Sequence, residues 1–187
     1  DTIIKDLIFN LKKSKNIKIN KKKIIKLKIK KKKKKNSIIM GNLPYNISSQ
    51  ILIKFLKQEK WPPKFKDLVF MFQKELGNKI INTYPSPNYG RLSIIANYRL
   101  NIVKKFLVSP NSFYPKPKVT SMVIHFQPKI NNLIKIKNTN SLEKITNILF
   151  SNKRKMINKN ILKILNEDMI KKILGNKIYL RTAEIKP

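Results

Sequence analysis

The sequence predicts an α/β protein: a sheet with helices on both sides up to about residue 127, then a wholly helical tail. Two observations carry this. Short runs rich in Ile, Val and Phe alternate with segments whose apolar residues recur at helical spacing. Beyond residue 140 the strand-like runs stop and only the helical spacing continues. An apolar fraction of 41% is ordinary for a chain that buries a core, so wholesale disorder is not expected.

Taken in order, "TIIKDLIFNL" (2–11) sets Ile3, Leu7, Ile8 and Leu11 on one helical face, and "NIKIN" (16–20) reads as a short strand. Residues 21–35 are almost wholly lysine with Ile and Leu. Ile25, Leu27 and Ile29 alternate as in a strand, but a solvated loop fits equally well. "SIIM" (37–40) is a short buried-type strand ending at Gly41. After a Pro-Tyr turn, Ser48 is the expected N-cap of a helix that buries Ile51, Leu52, Phe55 and Leu56. "WPPK" (61–64) ends it, and "LVFMF" (68–72) is the continuous apolar run of a strand covered on both faces. Helix 73–82, loop 83–90, helix 91–100, strand 103–108, proline-stiffened loop 109–118 and strand 119–126 follow. Residues 127–140 read as a linker. Asn140 and Glu143 then form an expected capping pair for a helix with Leu142, Ile145 and Leu149 as its stripe. A helix over 153–165 and a short one stopped by Gly175 complete the tail.

Composition narrows the function. Forty-three Lys and Arg against nine Asp and Glu leave a formal charge of +34, spread well beyond the run Lys30–Lys35. A field of that sign favours a nucleic-acid partner through counterion release, although AT-rich coding produces the same excess of Lys, Asn and Ile. With no cysteine there are no disulfides or thiolate metal sites, and His125 is the only histidine, which argues against a histidine-based metal site or a Ser-His-Asp triad. No apolar run approaches the roughly 20 residues of a membrane span. The amino terminus lacks the pattern of a signal peptide. Opening on Asp1 rather than Met, the chain reads as a fragment or a processed product.

Two stretches carry candidate chemistry. In Asn42-Leu43-Pro44-Tyr45, the Asn42 side-chain carbonyl and the backbone carbonyl of Leu43 or Pro44 can accept hydrogens from an adenine amino group. Pro44 stiffens the turn, and Tyr45 offers a face for a flipped-out base. Taken alone, these four residues also read as an ordinary turn after a strand. In "FYPKPKV" (113–119), alternate prolines hold the loop extended and can present Phe113 as the other side of a base sandwich, although Phe113 in the core of a plain connector fits as well. His125, in an alternating strand, reads as structural.

Together, "GNLPYNISSQ", "FQKELGNKI", "YGRLSI", "FLVSPNSFYPKPKVTSMV" and "FSNKRKMINKN" resemble, in order and spacing, the ribosomal RNA small-subunit adenine dimethyltransferases of bacteria and their mitochondrial relatives. The resemblance runs from about residue 37 to 187. It implies a Rossmann-like methyltransferase domain (1–127, its amino-terminal part missing), a linker (128–140) and a helical RNA-docking domain (141–187). The implied reaction moves two methyl groups from S-adenosylmethionine to the amino group of each of two adjacent adenines near the 3′ end of small-subunit RNA. Asn42 matches the family's Asn beside the methyl donor and the target amine, and Tyr45 and Phe113 match the aromatics that hold the adenine. Arg91, Lys116, Lys118, Lys153, Arg154 and Lys155 are the expected RNA contacts. The expected partner is the small-subunit RNA or a pre-ribosomal particle, met by a monomer in the cytoplasm, or in an organelle for a eukaryotic source, with no membrane involved.

The sequence also departs from the family pattern. The Gly-rich loop for the cofactor's methionine end would lie before Asp1, and the ribose-binding acid at or just before it. A further Asp by the cofactor adenine is expected at residues 20–23, where the chain reads "NKKK". Two other readings therefore stay open: a non-catalytic RNA-binding assembly or transcription factor of the same fold, and a large-subunit RNA methyltransferase conferring antibiotic resistance. "YGRLS" and "FYPKPKV" speak against the last.

Overall fold

The computed structural model describes residues 37–130, 136, 138–152 and 156–185. The expected helix 2–11, strand 16–20, the lysine-rich segment 21–35 with its "NKKK", and Lys153, Arg154 and Lys155 lie outside the described residues.

Four strands form one sheet: β1 (Ser37–Asn42), β2 (Phe65–Gln73), β3 (Leu100–Val108) and β4 (Ser121–Pro128), in the order β1-β2-β4-β3. β1 and β2 are parallel, while β4 is antiparallel to both of its neighbours. β3 therefore runs in the same direction as β1 and β2. A parallel return needs a crossover. Helix α1 (Ser48–Leu56) supplies the first, and α2 (Lys74–Ile81) with α3 (Arg91–Arg99) the second.

All three helices lie on one face. Phe70 pairs with Ile124 and Phe72 with Met122, so these residues share a side of the sheet. The α1 residue Phe55 stacks against Phe70, with ring centroids 5.5 Å apart. A Cβ on Gly77 of α2 would stand 2.7 Å from the Met122 sulfur, so the absent side chain is what lets α2 approach. Helix α3 packs against both α1 and α2. The expectation of helices on both faces is thus corrected for the described residues. Both crossovers step across the sheet in the same direction, and right-handed crossovers then put their helices on the same side. Leu68, Phe70, Phe72, Ile124 and Phe126 form the core beneath them. Strand β2 begins earlier than the apolar run suggested, at Phe65, and its other face is less uniformly covered: Asp67 and Val69 are buried, Met71 and Gln73 half-buried.

The tail begins with α4 (Thr139–Phe150). Its N-cap is Asn138, whose side chain accepts from the Asn140 N–H at 2.8 Å, so the expected Asn140–Glu143 capping pair is not formed. Glu143 instead reaches back to Lys57 and Arg91. The helix expected over 153–165 is reduced to α5 (Asn158–Ile161), after which the bonds of Lys163 and Ile164 tighten to i→i−3 spacing. Helix α6 (Glu167–Leu174) starts at Asn166, which accepts from the Met169 N–H, and stops at Gly175 with φ +49° as expected. Ile157, Ile161 and Ile170 make a small core of their own with Leu149, Leu165, Leu174, Ile178 and Ile185 around it.

Candidate active site at the carboxyl edge of the sheet

The direction of the strands decides which loops meet. The carboxyl ends of β1, β2 and β3 and the amino end of β4 form one edge, where Asn42 pairs with Met71, Gln73 with Ser121, and Val108 with Ser121. Open α/β sheets bind ligands outside the carboxyl ends of their strands. Both candidate stretches leave the sheet here.

The first turn is built around Leu43, which is buried. A Cβ on Gly41 would come within 3.1 Å of the Leu43 Cδ2 and 3.5 Å of Phe70, so a glycine before Asn42 gives Leu43 its seat. With Leu43 anchored, Asn42 and Pro44 on either side of it are exposed. The Pro44 carbonyl accepts from the Ile47 N–H at 3.2 Å, closing a short 3-10 turn over Tyr45–Ile47. Tyr45 is half-buried and its hydroxyl lies 2.6 Å from the Ser121 hydroxyl. Ser48 is not the N-cap expected of it. It is the first residue of α1, fully buried, and its hydroxyl donates to the Tyr45 carbonyl at 3.0 Å. The turn needs this donor to hold Tyr45 in place, and the cap position falls to Ile47.

The second stretch is pinned at both ends. Ser109 accepts from the Asn111 N–H, and Phe113 N–H donates to the Pro110 carbonyl at 3.2 Å. At the far end the Lys74 N–H donates to the Thr120 carbonyl at 2.9 Å, tying the loop to the start of α2. Phe113 has extended backbone (φ −126°, ψ 148°) and is half-buried. Tyr114 beside it is 102% exposed, and Lys116 and Lys118 are exposed too. Asn42, Tyr45 and Phe113 are therefore brought to one edge of the sheet. Sequence reading missed Ser121, whose only signal is that a small polar residue opens an otherwise apolar strand.

Arg91 is occupied elsewhere. Its guanidinium donates to Glu143 at 2.7 Å and to Asn147 at 3.2 Å, fastening α4 to the start of α3. Lys57, at the end of α1, pairs with the other Glu143 oxygen. Donation by Lys57, with the charges of Lys57 and Arg91, holds the Glu143 carboxyl below the usual range against the opposing effect of burial. Close by, Tyr89 packs against Phe150, and burial pushes its hydroxyl up to about 12. His125 pairs with the buried Asp67 at 2.7 Å, and Gln127 donates to the same oxygen at 2.9 Å, toward the opposite end of β2. That agrees with a structural histidine. Among the described residues there is no group of three or more side chains suited to a metal ion, and no helix long and apolar enough to cross a membrane.

Residues 2–183 match the sequence model of one family, described as ribosomal RNA adenine dimethylase. The chain belongs to that family. The dimethylase relatives include a ribosomal RNA small subunit methyltransferase A from Pelagibacter ubique, 38% identical over 172 residues, which cover 91% of this chain and 65% of the relative. Another of the same name, from Xanthobacter autotrophicus, is 41% identical over 123 residues, covering 66% of this chain and 42% of the relative. The chain thus spans between about two fifths and two thirds of the length of these relatives. Solved structures share the Rossmann-like dimethylase fold. A dimethyladenosine transferase from Plasmodium falciparum superposes with a TM-score of 0.66 at 23% identity, covering 80% of this chain and 62% of that one. The 23S rRNA methyltransferase ErmE gives 0.59 at 19% identity, covering 98% and 75%.

Proposed function

We propose that this chain carries the base-binding part of an S-adenosylmethionine-dependent enzyme that dimethylates two adjacent adenines of small-subunit ribosomal RNA. The observation that carries this is the Asn42–Tyr45 turn, braced by Ser121 against the strand that receives the Phe113 loop. An adenine flipped from its stack would lie between the Tyr45 and Phe113 rings. The Asn42 amide oxygen would accept one amino hydrogen. The Pro44 carbonyl already serves Ile47, which makes the Leu43 carbonyl the better second acceptor. Two acceptors draw the amino nitrogen toward the tetrahedral form in which its lone pair can attack.

When bound, S-adenosylmethionine supplies an activated methyl group, so this chain's task is alignment rather than base catalysis. The residues present fit the reacting end of that cofactor: Asn42 is exposed at the strand end and offers a neutral oxygen, not a competing charge. Lys116 and Lys118 would meet phosphates, and the tail over 141–187, with its own small core, would dock RNA as a helical unit beyond the 1–127 catalytic part and the 128–140 linker. The small-subunit names of the relatives favour this reading over a large-subunit target.

The test is methyl transfer from labelled S-adenosylmethionine to small-subunit RNA by the full-length protein. Asn42→Ala is expected to lower the rate at least about a hundredfold, the scale of losing a preorganised polar contact, with RNA affinity nearly unchanged. Transfer at the normal rate would remove Asn42 from the mechanism. No cofactor binding by the wild-type protein would favour a non-catalytic RNA-binding role.

A further inference from the structure

An aromatic ring with its whole surface in water is an unusual sight beside a binding edge. Tyr114 has one, directly after the half-buried Phe113. Phe113 is half-buried where Tyr114 is fully exposed, so the Phe113 ring turns toward the protein and the Tyr114 ring away from it. The loop beneath does not collapse over Tyr114, because its start is bonded at Pro110, its end at Thr120, and Pro115 and Pro117 stiffen the middle. Exposed lysines belong to the same loop and its anchor: Lys116 and Lys118 follow Tyr114 along the loop, and the Lys74 backbone holds the loop's far end. Among the described residues none of these three lysines forms an ion pair with a carboxylate.

We propose that Tyr114 is a second stacking platform, taking an unpaired RNA base that neighbours the flipped adenine, with Lys74, Lys116 and Lys118 on the adjoining phosphates. This extends the adenine-binding reading and rests on it for the position of the neighbouring base. A rigid aromatic face costs little entropy on binding and accepts any base, while unpaired cations on the same loop and at its anchor favour a polyanion. An apolar protein partner would leave those three charges without counterparts. Phe113 would hold the base to be modified, and Tyr114 would fix the strand beside it.

The test is fluorescence anisotropy of the full-length protein with a short labelled single-stranded RNA holding two adjacent adenines. Each flanking nucleotide is replaced in turn by an abasic one. Tyr114→Ala should bind the intact RNA about tenfold more weakly, and Tyr114→Trp should restore affinity. Wild-type protein should lose a similar factor with one particular abasic RNA, to which Tyr114→Ala is indifferent. Each of Lys74→Gln, Lys116→Gln and Lys118→Gln should reduce the salt slope by about 0.7. Wild-type affinity in Tyr114→Ala, or an abasic penalty equal in both proteins, overturns the proposal and leaves the loop to some other partner. Methyl transfer without this coupling sinks the platform alone, whereas the coupling without methyl transfer sinks only the enzymatic reading.

Discussion

The hydroxyls of Tyr45 and Ser121 meet at 2.6 Å across 76 residues of sequence. One belongs to the turn that ends β1, the other to the first residue of β4, and Ser121 is fully buried. The bond therefore sets the Tyr45 ring relative to the loop carrying Phe113. It also explains a tyrosine where phenylalanine would stack equally well.

Tyr45→Phe should leave the Ser121 hydroxyl buried without its partner and cost about 1–2 kcal/mol. Ser121→Ala on top of it should recover part of that loss, since removing both polar groups leaves none unsatisfied. Urea unfolding of the four members of the cycle measures the coupling. Simply additive losses would show that the bond contributes nothing to stability.

Glu143 pairs with Lys57 and Arg91, and so fastens α4 to the ends of two sheet-packed helices. Its carboxyl is held below the usual range, so the folded state favours the ionised form. Its contribution is complete above the ordinary glutamate value of about 4.3 and is lost as pH falls through the lower folded value. Glu143→Gln should cost about 1 kcal/mol at neutral pH, near the upper end for partly exposed pairs. Thermal midpoints of the two proteins should converge on acidification. A gap that stayed constant down to strongly acid pH would contradict an electrostatic role.

Arg99 is a buried cation held by neutral groups. One guanidinium nitrogen donates to the carbonyls of Leu56 and Gln58, and the group stacks on Trp61, 4.4 Å from the ring centroid. Burial lowers its pKa, with Tyr98 acting in the opposite direction. Trp61 in turn donates to the Lys129 carbonyl at 2.7 Å, so the end of α1, the end of α3 and the end of β4 share one junction. Lysine keeps the charge but not the flat fork, and Arg99→Lys should cost about 2 kcal/mol. Chemical denaturation checks it, and a loss below about 0.5 kcal/mol would mean that the fork and the stack are dispensable.

By itself the sequence determined the order and kind of the elements from Ser37 to Gly175, because periodicity and turn residues act over a few neighbours. Alternating apolar runs marked the strands, and the stripe of Ile51, Leu52, Phe55 and Leu56 marked the inner face of α1 before any contact was known. The Asn42–Tyr45 turn and the 113–119 loop were legible as candidates, and their joint pattern as a family resemblance. Local chemistry was weaker at helix starts, where Ser48 and Glu143 were drawn to other partners and Asn138 took the cap expected of Asn140. Only the tertiary structure decided which surfaces meet. Two right-handed crossovers stepping the same way put α1, α2 and α3 on one face, and the insertion of β4 beside β2 brought Ser121 to Tyr45. It also committed Arg91 to Glu143, 52 residues away. Such pairings follow from strand register and chain direction, and these are properties of the whole sheet that no local stretch of residues contains.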